Sequence, residues 1–160
     1  MYWNETKAYR PVIGRPRVLL AVAHPAVGDG IETILRLERR YEVRRVTKLA
    51  DALRIAPSWP ADLALFDAAL TPREGRVVLG VPTLVLAGGE AENDAAARRL
   101  DGSRGWVAKD AESAYLLAAV ERLLTRTTEA AAGPVPLFLI GALVVVLLSL
   151  LLYLAWIAVV

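Results

Sequence analysis

"LALFDAALTP" (residues 63–72) decides how the rest of the chain is read. A run of four apolar residues stops at a carboxylate, Asp67, and a Thr-Pro pair follows. A run this short, bounded by turn formers, predicts a strand covered on both faces, as in parallel sheets. Ligands on such sheets meet the carboxyl ends of the strands, which is where Asp67 stands. By residue type alone it is a nucleophile, a metal ligand or a satisfied turn residue.

Similar runs recur on either side. "RVLLAVA" (17–23), "TLVLA" (83–87) and "GWVA" (105–108) read as further buried strands, with the Asp67 strand at 62–66. The more polar "YEVRRV" (41–46) fits an edge strand. Between them, Val27, Ile31, Ile34 and Leu35 recur at helical spacing after Pro25, and "KLADALRIA" (48–56) predicts a second helix closed by Pro57. A helix is expected across 90–100, after Gly88-Gly89. Another is expected over 111–125, with Asp110 as its N-cap and Leu116, Leu117, Val120, Leu123 and Leu124 as its core stripe. Strands alternating with helices predict an α/β protein with a doubly wound five-stranded parallel sheet and right-handed crossovers.

Composition bounds the function. The chain has 160 residues and no cysteine, which excludes disulfides and thiolate metal sites. The net charge is +2, and the arginines occur singly or in pairs rather than in a basic tract, so no nucleic-acid partner is expected. All 36 charged residues fall within the first 129 positions. From Leu137 to Val160, 24 consecutive residues carry no charged side chain. As a helix they would span roughly 36 Å, enough to cross a hydrocarbon core of roughly 30 Å. With no polar face to turn to water, this reads as a membrane helix, entered past Pro134 and Pro136 and closing near Tyr153 and Trp156. Arg122 and Arg126 precede it, so the positive-inside rule keeps the domain cytoplasmic. The expected organisation is a leader (1–16) without the apolar core of a secretory signal, a domain (17–125), a linker (126–134) and one transmembrane helix (135–160). That describes a tail-anchored, single-pass protein of the bacterial cytoplasmic membrane.

Two other known chemistries fit these residues poorly. Haloacid-dehalogenase phosphatases place a second aspartate two residues after the nucleophile, where this chain has Ala69. "GDG" (28–30) lacks the third glycine of a dinucleotide fingerprint and falls inside a predicted helix. His24 has no histidine, cysteine or carboxylate close in sequence and reads as structural.

Taken together, "RVLLAVAHPAVGDGIETIL" (17–35), "ADLALFDAALTP" (61–72), "TLVLAGG" (83–89) and "RGWVAKDAESAYLLAAV" (104–120) resemble bacterial response-regulator receiver (CheY-like) domains, in the class normally coupled to a LuxR-type helix-turn-helix. The resemblance implies a flavodoxin-like fold. It places Asp67 at the phosphoacceptor position, Lys109 at the receiver lysine and Trp106 at the aromatic switch position of the fifth strand. Three functional positions depart from the pattern: the magnesium-binding acid pair falls on Val22 and Ala23, and the switch hydroxyl on Ala87. Nine residues, Arg73 to Val81, separate Pro72 from Pro82, so the third helix is expected to be shortened or missing.

These departures imply a pseudo-receiver. Magnesium needs oxygen ligands, which Val22 and Ala23 lack, so no metal, cofactor or enzymatic activity is expected. Asp67 then remains as a remnant held by Lys109, or caps its own loop through backbone amides. The expected role is a phosphorylation-independent interaction module, tethered through 137–160. It would meet a protein partner at the face carrying Arg98, Arg99, Trp106, Tyr115 and Arg122, and a homodimer is left open. The alternative is a phosphorylatable response regulator of a phosphorelay, with Asp67 as phosphoacceptor.

Overall fold

The computed structural model describes residues 14–131. Most of the expected leader and the expected membrane span lie outside the described residues, and among these no helix is long and apolar enough to cross a membrane. The chain divides into two units, Met1–Thr127 and Thr128–Val160, and the sheet belongs to the first.

Five strands and four helices follow in the order β1 (Arg17–Ala21), α1 (Pro25–Leu37), β2 (Glu42–Val46), α2 (Leu49–Ile55), β3 (Leu63–Asp67), β4 (Val77–Ala87), α3 (Glu90–Ala97), β5 (Leu100–Ala108) and α4 (Ser113–Ala131). The strands lie in the order β2-β1-β3-β4-β5 and every pair is parallel. This is the flavodoxin-like order, with its switch point between β1 and β3. The two apolar faces of β1 and β3 explain their central place. Val18, Leu20, Leu63 and Leu65 point to one side, where Ile31 and Leu35 of α1 and Leu116 and Val120 of α4 cover them. Leu19, Ala21, Ala64 and Phe66 point to the other, towards Ala52 of α2, Trp59 and Ala96 of α3. β2 is an edge strand, and Glu42 and Arg44 are exposed along it.

Four expectations about boundaries are corrected. The 83–87 strand is the second half of β4, which begins at Val77, and the 105–108 strand is the end of β5, which begins at Leu100. The helix expected over 90–100 ends at Ala97, because Arg98 and Arg99 already lead into β5. The last helix starts at Ser113, not 111. The Ala111 N–H bonds the Ala108 carbonyl at 3.1 Å, so Asp110 occupies a turn and not the N-cap.

No full helix lies between β3 and β4. A single 3-10 turn, Ala68–Leu70, is followed by the extended entry to β4. In that entry Val77 and Leu79 are buried while Val78 is 60% exposed, a period of two that lays alternate side chains on the sheet's second face. Val77–Val78 pair with Leu100–Asp101, the register then shifts, and pairing resumes at Thr83 opposite Ser103. Pro82 falls within the irregularity, where a missing N–H is tolerated. Gly102 stands opposite with a φ of +81°, and a Cβ there would lie 3.0 Å from the Val81 carbonyl oxygen, so the bulge requires glycine.

Candidate functional site

The parallel sheet brings four segments together at its carboxyl edge: the end of β1, the end of β3, the β4–α3 connection and the β5–α4 connection. Asp67 ends β3 and is 2% exposed. Buried carboxylates need partners, and Asp67 has three. Its Oδ1 accepts the Ala69 N–H at 2.9 Å, capping the 3-10 turn, and meets Lys109 Nζ at 2.9 Å. Its Oδ2 accepts the Ala23 N–H at 3.1 Å. Pairing with the lysine and capping through amides therefore hold together at one carboxylate.

Lys109 is placed by β5, whose ladder carries the Lys109 N–H to the Ala87 carbonyl at 3.0 Å. Its ammonium reaches a second carboxylate, Glu92 Oε1, also at 3.0 Å. Sequence reasoning missed Glu92. It is the third residue of α3, and its other oxygen accepts the N–H of Gly88, just before the helix's N-cap Gly89. A glutamate at the third helical position after a Gly-Gly entry is a capping-box signal, and it marks a side chain turned back to the strand end. Burial works against the Lys109 ammonium. Asp67 and Glu92 outweigh it and hold the group above the usual lysine value. Glu92 is held below the ordinary carboxyl value by the Gly88 N–H first. Burial opposes that shift and Lys109 adds to it.

The remaining sequence candidates sit around this cluster without adding polar groups. Val22 continues the ladder, its N–H on the Val46 carbonyl at 3.0 Å, and its side chain is 1% exposed in the core under α1 and α4. Ala23 is exposed and contributes its amide alone. Ala87 is fully buried, packed with Phe66 and Val85 on the second face. Asp29 turns away to pair with Arg45, and exposed His24 stands at the N-cap of α1 without a side-chain capping bond. A small apolar cleft of about 160 Å³ lies beside Lys109, between α1 and the start of α4.

The donor set does not fit a divalent cation. Such an ion needs several oxygen ligands. Val22 and Ala23, the expected acid-pair positions, carry a buried isopropyl group and a methyl, and among the described residues no three acidic, histidine or cysteine side chains cluster. Lys109 itself is the cation between the two carboxylates.

The residues of the expected protein-contact face differ in exposure. Trp106, opposite Val85 on β5, is 37% exposed and Tyr115 is 61% exposed; Arg98 and Arg122 are exposed as well. Arg99 is half-buried and donates Nη1 to the Pro72 carbonyl at 2.9 Å, which ties the short β3–β4 connection to the start of β5.

No family model matches the sequence, and no curated protein matches it. Solved structures do. The chain is similar to the CheY-like receiver domain protein of Methanospirillum hungatei JF-1 (19% identity over 72% of this chain and 98% of that one, TM-score 0.59). It is also similar to a two-component response regulator of the LuxR family from Aurantimonas sp. SI85-9A1 (22% identity, 68% and 84%, TM-score 0.57). A third is the N-terminal domain of a response regulator/sensory box/GGDEF 3-domain protein from Carboxydothermus hydrogenoformans (23% identity, 72% and 98%, TM-score 0.56). The fold is that of response-regulator receiver domains.

Proposed function

We propose that this chain is a receiver-like signalling module held at a membrane, working by protein contact and not by phosphoryl transfer. One observation carries the reading: the carboxylate at the phosphoacceptor position is already engaged by two amides and an ammonium, and that ammonium is shared with Glu92. Phosphorylating a carboxylate requires an oxygen free to attack and cations to neutralise the incoming charge. Here Oδ1 carries two donors, and Val22 and Ala23 supply no metal ligand. Losing metal stabilisation of several kcal/mol slows such a transfer by roughly a thousandfold or more. Burial of Ala87 in the core supports the same reading, since no hydroxyl is available there to register a phosphoryl group.

Tethering rests on the uncharged stretch Leu137–Val160 and would raise the local concentration of the module near membrane partners without any new contact. The partner surface we assign is the exposed Trp106–Tyr115 face with Arg98 and Arg122. Aromatic and arginine side chains are the types that anchor protein interfaces.

The phosphorelay alternative draws on the 2.9 Å approach of Lys109 to Asp67. Intact-mass measurement after incubating the full chain with acetyl phosphate and magnesium separates the two. The expected spectrum is unchanged; a stoichiometric, base-labile adduct of one phosphoryl group, lost in Asp67→Asn, would establish the alternative.

A further inference from the structure

Arginines that are scattered in sequence are gathered by the fold at the amino edge of the sheet. α1 runs back from the carboxyl edge and delivers Arg36 and Arg39 beside Arg15, which leads into β1. Together with Tyr41, Glu42 and Val43 they line an open cleft of about 710 Å³. Arg15 and Arg39 are exposed, and among the described residues neither has a carboxylate within ion-pair distance; Arg36 holds Glu32 at 2.7 Å. Arg76, just ahead of β4, extends the basic edge. α4 runs towards this side too, since Glu121 near its middle pairs with Arg40 in the α1–β2 connection. The carboxyl edge has the opposite balance, with Glu90, Glu92, Asp110 and Glu112 beside Lys48 and Lys109. The positive surplus is local to the arginine cleft, since Glu38, Glu42 and Glu121 also stand at the amino edge.

Arg39 carries a second observation. Its φ is +54°, the one left-handed non-glycine residue among those described. It follows the C-cap of α1, Glu38, where glycine is the usual occupant because a Cβ is strained there. A long cationic side chain kept in a strained backbone position, pointing into a cleft with two other guanidinium groups, is a reason to look for a ligand.

We infer that this edge docks on anionic lipid, with headgroup phosphate or carboxylate seated among Arg15, Arg36 and Arg39. The inference rests on the membrane-tethered reading: nine residues, 128–136, separate the first unit from the uncharged stretch that starts at Leu137. Even fully extended they reach only about 30 Å, so a tethered domain is confined near the bilayer surface, where a cationic cleft meets lipid headgroups. Each arginine brought to an anionic surface strengthens binding about fivefold, and salt screens the attraction.

The cysteine-free sequence makes the test direct. A fluorophore is placed through Ser58→Cys, in the connection entering β3 at the arginine edge, or through Ser113→Cys, at the opposite edge. The full-length chain is floated with vesicles of phosphatidylcholine alone or of phosphatidylcholine with phosphatidylserine, and quenching by iodide is measured. The expected result is flotation with both and severalfold shielding of the Ser58→Cys label in anionic vesicles, lost in high salt, with the Ser113→Cys label unchanged. Arg39→Gly should weaken that shielding about fivefold while raising Tm by about 4 °C, because glycine relieves the strain. Flotation with both vesicles but equal quenching in both overturns docking and leaves the tether standing. Flotation with anionic vesicles alone, with the Ser58→Cys label shielded, upholds docking and overturns the tether. Flotation with neither overturns both, and shielding of the Ser113→Cys label instead overturns the assigned edge.

Discussion

Replacing Lys109 by alanine should destabilise the domain by about 3 kcal/mol. Its ammonium lies 2.9 Å from Asp67 and 3.0 Å from Glu92 and is the cation in contact with a carboxylate that is 2% exposed. Removing one member of a buried pair typically costs 3–5 kcal/mol, because the other is left charged and without a counter-ion. The Ala23 and Ala69 amides still bond Asp67 in the variant, which places the expected loss at the lower end of that range. An unfolding entropy of about 2.1 cal/mol/K per residue over roughly 115 residues converts this to a fall in Tm of about 12 °C. Near-UV circular dichroism of the full chain in detergent micelles follows the loss of tertiary packing directly. Asp67→Asn and the double variant complete the cycle, and the coupling between positions 67 and 109 should be about 2 kcal/mol. Additive single effects, within about 0.5 kcal/mol, would refute the idea that the lysine holds the aspartate.

Two further outcomes are expected. Glu92 titrates below the ordinary carboxyl value in the folded chain, so its contribution is fully present above that value and is lost as the pH falls through the folded one. Glu92→Gln should therefore lower Tm at neutral pH and converge with the parent in acid, as a pH series of melting curves will show. Leu79→Ala should cost about 2–3 kcal/mol and Val78→Ala close to nothing. Equal effects in chemical denaturation would mean that the entry to β4 does not cover the sheet.

Much of this architecture was legible because burial on both faces writes an unmistakable pattern. "VLLA" (18–21) and "LALF" (63–66) have no polar position at all, and such runs read as central strands in a chain of this size. The entry to β4 was harder. Val77, Leu79 and Val81 alternate correctly, but Gly75, Gly80, Pro72 and Pro82 punctuate the segment, and local rules read such residues as loop. The strand forms there because Leu100–Asp101 offers a ladder and an uncovered sheet face needs side chains, two facts of tertiary structure. The start of α4 was misplaced for a similar reason: the turn closed by Ala111 on Ala108 holds Asp110 away from the helix end. At the site, it was the resemblance to receiver domains that singled out Asp67 and Lys109, and the fold brings the two to one edge. Glu92 escaped notice because its helix has no large apolar stripe and its capping role is visible only once the Gly88 amide is located. The basic edge was invisible in the sequence for want of any run of charge; folding alone assembles it.

Val22 limits what this strand end can be made to hold. Its isopropyl group is packed under two helices, so placing an acid there would bury a lone carboxylate at a penalty of several kcal/mol before any ion could reward it. A domain stable by 5–15 kcal/mol has little room for such a step. A metal-binding form of this strand end would therefore be reached only by repacking both helices around the new side chain.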